Sequence, residues 1–169
     1  MLISLQAGSV PIRLSQLWSG LNAQQQLVLW ELRLPRVMMT ALVGAGLAVA
    51  GVALQALFRN PLAEPGLIGV SSSAALGAVL VIVLGGTFWG QVSAWQMSLA
   101  AFFLAMAMTV FLYLIATRRG KTDVALMLLA GVAINAIAGA LTGLLITVSS
   151  DTELRSVVFW MMGSFANIS

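Results

Sequence analysis

"GAGLAVAGVALQALFRNPLAEPGLIGVSSSAALGA", residues 44–78, contains the end of one apolar run, a charged corner and the start of a second run. The runs on either side, 37–58 and 66–88, contain no Asp, Glu, Lys or Arg, and the same holds for 92–117 and 124–149. A helix needs about 20 apolar residues to cross a bilayer, and all four runs reach that length. The sequence therefore predicts four membrane-spanning helices with short connections.

The corner between the first two runs has charges and prolines in fixed places. Arg59 follows the first run and Glu64 precedes the second, where each charge complements a helix dipole. Pro61 disfavours helical geometry at Asn60 and so ends the first helix. Pro65 and the glycine after it favour a turn in which that glycine has a positive φ. A well-capped loop explains this pattern without any function. The corner signature comprises Arg59, Asn60, Pro61, Glu64, Pro65 and Gly66.

The composition places the whole chain in a membrane. Hydrophobic residues make up 60% of the 169 residues and charged residues 8%, against about 25% charged in soluble domains. Cysteine and histidine are absent, and no carboxylate lies within the runs. This excludes intramembrane catalysis, metal binding and proton relays of the usual kinds, so the chain is predicted to be no enzyme. The few basic residues form no stripe suited to nucleic acid.

A fifth, shorter helix is predicted after the last run. Ser150 and Glu153 have the spacing of a capping box, which marks a helix start. This helix either covers the mouth of a pathway or simply rests on the bundle. The predicted fold is an all-α polytopic membrane bundle, divided into a first segment (1–36), a four-helix region (37–149) and a short last helix (150–169). One apolar stripe is expected to contain Leu154, Val157, Val158, Met161, Met162 and Phe165.

The fourth run has small and polar residues at four-residue steps. Gly131, Asn135, Gly139 and Gly143 form a broad face that drifts around the helix. Asn135 has two interpretations, a hydrogen bond to a neighbouring helix or a polar wall of a pathway. The sequence alone leaves both open.

Four motifs resemble one family in their wording and order. They are "LRLPR" (32–36), the opening stretch (44–78), "LLAGVAI" (128–134) and "WMMGSF" (160–165). Over residues 5–169 the chain resembles the permease subunit of bacterial ATP-driven importers for iron siderophores, haem and vitamin B12. Ser73 stands where that family often has glycine, which loosens the expected close packing there.

The resemblance implies a larger assembly in the bacterial inner membrane. The family subunit has about ten spans in two inverted halves and works as a dimer with two cytoplasmic ATPases and an external binding protein. This chain resembles the first half, with residues 1–9 similar to the end of a missing first helix. It is expected to bind no cofactor, since ATP belongs to the partner subunit. A natural fragment and a truncated version both fit. The alternative function is a non-transporting membrane interaction protein.

The resemblance also assigns the two ends of the helices to sides of the membrane. Four basic residues lie on each side, so the positive-inside rule gives no orientation. The family places the corner and "RRGKTD" (118–123) in the cytoplasm and "LRLPR" outside, so the resemblance implies that segments 1–36 and 150–169 are external. Arg33 and Arg36 flank Pro35 at a predicted helix start and are expected to dock the binding protein. Alternatively, both arginines reach lipid phosphates.

Pathway residues are also implied by the family. Its fifth helix, similar to 124–149 here, lines the channel and ends in a cytoplasmic gate. Val124 and Ala125 lie at the gate end, while Gly131, Asn135 and Gly139 are expected to line the channel. The cargo, whether a metal chelate or a corrinoid, is not specified by these residues.

Overall fold

The computed structural model describes Val10 and residues 20–90 and 92–165, apart from the side chains of residues 87–89. The described chain is an all-α membrane helix bundle. Its contacts divide into two compact units, Met1–Ala48 with Ser164–Ser169, and Val49–Gly163. In chain order the elements are α1 (Ala23–Phe58), a 3₁₀ turn (Pro65–Ile68), α2 (Val70–Trp89), α3 (Ala94–Ala116), β1 (Thr117–Arg118), β2 (Lys121–Thr122), α4 (Val124–Thr147) and α5 (Asp151–Met162).

Each predicted apolar run contains one long α-helix, and the second run begins in the 3₁₀ turn before α2. Among the described residues α1, α3 and α4 are long and apolar enough to span a membrane, and α2 contributes a shorter apolar helix over Val70–Gly86. The prediction of an all-α polytopic bundle is confirmed. The division at residues 36 and 149 into three regions stays a prediction, and the expected remnant of a preceding helix, residues 1–9, lies outside the described residues.

Helix α1 begins well before the first apolar run. Asn22 caps it with a capping box: its Oδ1 accepts from the Gln25 amide at 2.8 Å, and its own amide donates to Gln25 Oε1 at 3.2 Å. These two bonds satisfy donors that a helix start leaves free. The expectation of a helix start at Pro35 is therefore wrong, and Arg33 and Arg36 do not occupy a first turn.

A change of helix type allows α1 to continue through its proline. Val28–Arg33 forms a π-helical segment, and α-helix resumes at Leu34. Pro35 has no N–H, and its ring crowds the carbonyl one turn earlier. Because a π turn contains an extra residue, it relieves that crowding without ending the helix. A proline therefore marks a local irregularity here and not a boundary.

Within the second unit, α2 is the element around which the others pack. It contacts α3, α4 and α5, and Ala78 and Val79 on α2 are fully buried. At Gly77 a Cβ would lie only 2.6 Å from the carbonyl oxygen of Ala100 on α3. Because lipid is as apolar as these side chains, close van der Waals packing between backbones stabilises such helix pairs.

The described residues of this unit form two hydrophobic clusters. One contains Ile68, Leu112, Ala116, Met127 and Ile134, with Leu54 and Phe58 of α1 packed against it. The other contains Val79, Ile82, Val83 and Val157. The first cluster holds the corner against α3 and α4, and the second holds α5 against α2.

Helix α5 has the predicted start but not the predicted packing face. Ser150 donates its amide to Glu153 Oε2 at 2.8 Å and accepts from the Glu153 amide, which confirms the capping box. Val157 is the one buried residue of the helix. Trp160, outside the predicted stripe, packs beside it. The helix rests on α2, as one of the two interpretations requires. The exposed stripe residues of the helix are Leu154, Val158, Met161 and Met162.

Candidate functional site

The corner begins with a complete Schellman motif at the end of α1. The amide of Asn60 donates to the carbonyl of Gln55 at 3.2 Å, and the amide of Arg59 donates to that of Ala56 at 3.4 Å. Arg59 takes the left-handed conformation at φ +49° that this motif requires. Asn60 Oδ1 then accepts from the Leu62 amide at 2.9 Å, which turns the chain at Pro61. The corner is thus fixed by its own backbone bonds and by the Asn60 side chain.

The second half of the corner differs from the sequence prediction. Pro65 and Gly66 open a 3₁₀ turn, and the residue with positive φ is Gly69, at +81°. The expected turn with positive φ at Gly66 is therefore wrong. The φ of proline also suits the first position of a helical turn, and this alternative is the one adopted. Glu64 caps this 3₁₀ turn through its backbone only.

Asn135 joins α4 to the corner and to α2. Its Nδ2 donates to the carbonyl of Gly66 at 3.0 Å, and its Oδ1 accepts from the Ser72 hydroxyl at 2.6 Å. A carbonyl can only accept, so this network fixes the orientation of the amide. Ser72 Oγ also lies 3.1 Å from the Gly69 carbonyl. The interhelical hydrogen bond that the sequence left open as one interpretation is present.

Two glycines allow the backbones to approach beside this amide. A Cβ on Gly131 would lie 2.6 Å from the carbonyl oxygen of Leu67 and 2.9 Å from the Cα of Ile68. A Cβ on Gly69 would lie 2.6 Å from Cγ2 of Ile134. Residues three and four apart share a helix face. The face of α4 that touches the corner, called here the contact face, comprises Gly131, Ile134 and Asn135.

The predicted pathway residues therefore separate into two groups. Gly131 is buried and Asn135 is half-buried against the corner. Gly139 is exposed, and nothing described lies within 4 Å of a Cβ placed on it. At the start of α4, Val124 is half-buried and Ala125 exposed. The structure explains Gly131 and Asn135 by packing, and the pathway role of all five residues stays a prediction.

The predicted docking arginines lie on α1 around Pro35. Arg33 Nη2 donates to the carbonyl of Val10 at 2.6 Å, so its guanidinium is held by the preceding segment. Arg36 lies in the α-helical part, where its carbonyl accepts from the Thr40 hydroxyl at 2.7 Å. Their docking role stays a prediction. In the described residues no group of three or more His, Cys, Asp or Glu could hold a metal ion.

Sequence reasoning missed Ser72 as the partner of Asn135. The signal was the serine run at 71–73, which lies next to a predicted helix start in an otherwise apolar segment. Ser72 and Ser73 differ sharply in the structure. Ser73 is fully buried, and its Oγ has no hydrogen-bond partner among the described residues. The Ser72 hydroxyl therefore joins two helices, whereas the Ser73 hydroxyl is buried without a partner among the described residues.

Alanine at these two serines should separate the effects. Ser72→Ala removes the donor to Asn135 and should destabilise the protein by about 0.6 kcal/mol, the average for hydrogen bonds between membrane helices. Ser73→Ala removes a buried unpaired hydroxyl and should be neutral or stabilise by up to about 1 kcal/mol. The unfolding midpoint in dodecyl sulfate titrations measures both. Equal losses from the two variants would contradict this assignment.

Comparison with known proteins gives one consistent result. The family model described as the FecCD transport family matches residues 1–169. The vitamin B12 import system permease protein BtuC of Serratia proteamaculans (strain 568) is 46% identical over 165 residues, which cover 98% of this chain and 47% of that protein. The protein of the same name from Klebsiella pneumoniae subsp. pneumoniae is 42% identical over 168 residues, 99% of this chain and 48% of that protein.

A solved structure is similar as well. A metal-chelate type ABC transporter in an inward-facing conformation aligns with a TM-score of 0.78 and 33% sequence identity. The alignment covers 99% of this chain and 48% of that one. The chain thus spans less than half the length of the relatives it matches here.

Proposed function

Because the chain belongs to the FecCD transport family, we propose that it supplies part of the membrane-spanning permease subunit of an ATP-binding-cassette importer. The observation that carries the proposal is the match of the family over the whole sequence. The proposed cargo is an iron siderophore, haem or cobalamin. Support comes from relatives named for vitamin B12 import and from a metal-chelate type transporter. The protein is a multi-pass protein of the bacterial inner membrane.

The distribution of charge fits a conduit that other subunits drive. No acidic or basic residue lies within α2, α3 or α4. Proton-coupled carriers need such groups as relays inside the membrane. We therefore assign ATP binding and hydrolysis to separate cytoplasmic subunits, with no cofactor on this chain. The other proposed partners are an external binding protein and a second permease copy.

The proposed pathway follows an exposed side of α4, beside the contact face. Ala125, Val132 and Gly139 follow at seven-residue steps and are all exposed in this chain. Seven residues nearly complete two helical turns, so the three share one face. Gly131 packs against the corner, and Asn135 donates a hydrogen bond to it. The exposed face is therefore better suited to border a conduit or the second copy.

Uptake in cells tests the proposed function. A strain that lacks its own cobalamin and siderophore permeases would express the gene for this chain with its neighbouring ATPase and binding-protein genes. Uptake of labelled cobalamin or ferric siderophore should appear and should depend on an intact ATP site. If labelled cargo does not accumulate although the assembled complex is in the membrane, the proposal fails.

Charge reversal tests the docking role of the two arginines. In the intact protein, Arg33→Glu with Arg36→Glu should weaken association with the binding protein at low salt by at least about tenfold, because the charge pairs that steer docking become repulsive. Arg155→Glu is the matched control, since this exposed arginine on α5 is predicted to face the same side.

The bond from Arg33 to Val10 calls for a further variant. Arg36→Glu alone leaves that bond intact and should still reduce association, with unchanged elution on size exclusion. Biosensor titration at two salt concentrations measures the affinity of the binding protein for the double variant, for Arg36→Glu and for Arg155→Glu. If the double variant associates with the binding protein as strongly as the unmodified protein does, the docking role is wrong. Lipid phosphates would then be the partners of both arginines.

A further inference from the structure

The connection between α3 and α4 is a small rigid hairpin. Thr117 pairs with Thr122 and Arg118 with Lys121, in antiparallel register. The threonine hydroxyls lie 3.0 Å apart, and the Asp123 amide donates to the Ala116 carbonyl at 2.8 Å. These contacts hold residues 117–122 in one conformation although the segment is only two strands of two residues.

The hairpin contains two features that oppose its own folding. Arg118 lies directly opposite Lys121, and like charges in such a pair are destabilising. Arg119 has φ +50° and Gly120 φ +74°, the conformation of a tight hairpin turn in which asparagine or glycine usually precedes glycine. An arginine at the first of these positions is therefore unfavourable. Strained backbone conformations of this kind are often found at binding sites.

The three cations lack partners within the part of the chain that the structure describes. No hydrogen bond or ion pair is formed there by the side chains of Arg118, Arg119 or Lys121, and all three residues are exposed. The neighbouring acid, Asp123, instead caps α4, and its Oδ1 accepts from the Leu126 amide at 3.0 Å. The hairpin therefore presents positive charge that its own acid does not pair with.

The depth of the hairpin indicates what could neutralise it. It joins two helices that are each long enough to span a membrane. Two strand residues extend about 7 Å beyond the helix ends, at roughly 3.3 Å per residue. The polar headgroup layer on each side of the hydrocarbon is itself about 5–8 Å thick. Cations at this distance from the helix ends are within reach of lipid phosphates.

We propose that Arg118, Arg119 and Lys121, called here the basic hairpin, bind the headgroup phosphate of an anionic glycerophospholipid. A phosphate between Arg118 and Lys121 would remove the repulsion across the pair, and Arg119 at the turn would complete the contact. Arginine and lysine near an anionic leaflet are attracted to it, an effect that salt screens. The hairpin then fixes one lipid beside the α3–α4 junction, independently of transport.

Lipid retention by the intact protein tests this proposal. The probes are dioleoyl phosphatidylglycerol, dioleoyl phosphatidylcholine and inorganic phosphate, added to detergent-purified protein and followed by native mass spectrometry. Retention of phosphatidylglycerol should exceed that of phosphatidylcholine at least about tenfold at low salt and should fall as salt rises. Inorganic phosphate at equal concentration should not displace the lipid.

Three variants give the comparison. The triple variant R118Q/R119N/K121Q should lose at least about tenfold of the phosphatidylglycerol preference, because it removes all three charges. Asparagine suits the positive φ at residue 119, so the hairpin should still fold. R119N alone should reduce retention partly. R155Q, a matched loss of one exposed cation on α5, should leave retention unchanged.

Other results would overturn the proposal. The triple variant could retain the lipid as the unmodified protein does, or phosphatidylglycerol and phosphatidylcholine could bind equally. Displacement by inorganic phosphate would identify a free anion as the ligand. If the triple variant keeps its lipid but loses a soluble acidic subunit on size exclusion, the basic hairpin is a protein interface instead.

Discussion

Gly131→Ala is expected to destabilise the protein by about 1–3 kcal/mol, the usual cost of overpacking. The added methyl would lie 2.6 Å from the carbonyl oxygen of Leu67 and 2.9 Å from the Cα of Ile68. Both are backbone atoms in the 3₁₀ turn, so the methyl cannot be accommodated by a change of rotamer. The corner must move away from α4, which also lengthens the bond from Asn135 to Gly66. The unfolding midpoint in dodecyl sulfate and the thermal midpoint in detergent measure the loss.

Gly139→Ala is the matched control for this prediction. It makes the same change on the same helix, but nothing described lies within 4 Å of the added atom. Alanine also favours helix over glycine by about 1 kcal/mol in soluble hosts. Gly139→Ala should therefore be neutral or stabilising. If Gly131→Ala unfolds at the same midpoint as Gly139→Ala, the close approach of α4 to the corner is not a feature of the folded protein.

The positions of the helices could be predicted from the sequence because lipid and backbone impose simple rules. An uncharged apolar run must form a helix to satisfy its backbone in a bilayer, and α4 at Val124–Thr147 follows the predicted run closely. The capping box at Ser150 could be predicted as well, because it joins residues only three positions apart. The start of α1 was missed because a proline usually ends or begins a helix. At Pro35 the helix instead continues, because a π segment precedes the proline.

The partners across the bundle could not be predicted in this way. Gly131 and Gly139 have the same spacing from Asn135, yet one touches backbone and the other touches nothing described. An apolar pattern shows only that a side chain avoids water, and protein and lipid satisfy that condition alike. This is why most of the predicted stripe on α5 is exposed although Val157 is buried. The pairing of Ser72 with Asn135 joins residues far apart in the sequence, and the serine run at 71–73 did not indicate its partner.

These contacts give the corner signature a structural explanation beyond its loop geometry. Arg59, Asn60 and Pro61 fold the corner through backbone bonds and the Asn60 side chain. Gly66 then offers the carbonyl that accepts from Asn135. The corner and the contact face of α4 therefore stabilise each other. A motion of α4 relative to the corner and α2 would have to break the two hydrogen bonds of Asn135.

Gly69→Ala should show the second large effect, about 2–5 kcal/mol of destabilisation. One part is conformational, since a non-glycine residue in the left-handed region costs about 1–2 kcal/mol, and Gly69 has φ +81°. The other part is steric, because the new methyl would lie 2.6 Å from Cγ2 of the buried Ile134, and overpacking costs about 1–3 kcal/mol. Dodecyl sulfate titration of the purified variants measures the sum.

Two further variants separate the conformational part from the steric part. Gly120→Ala changes a glycine at φ +74° with nothing described within 4 Å, so it should show the conformational cost of about 1–2 kcal/mol alone. Ile134→Ala removes the atom that clashes. In a double-mutant cycle the pair Gly69→Ala with Ile134→Ala should be about 1 kcal/mol or more less destabilised than the sum of the single variants. Strict additivity would mean that the two residues do not touch, and the contact face would then not include Ile134.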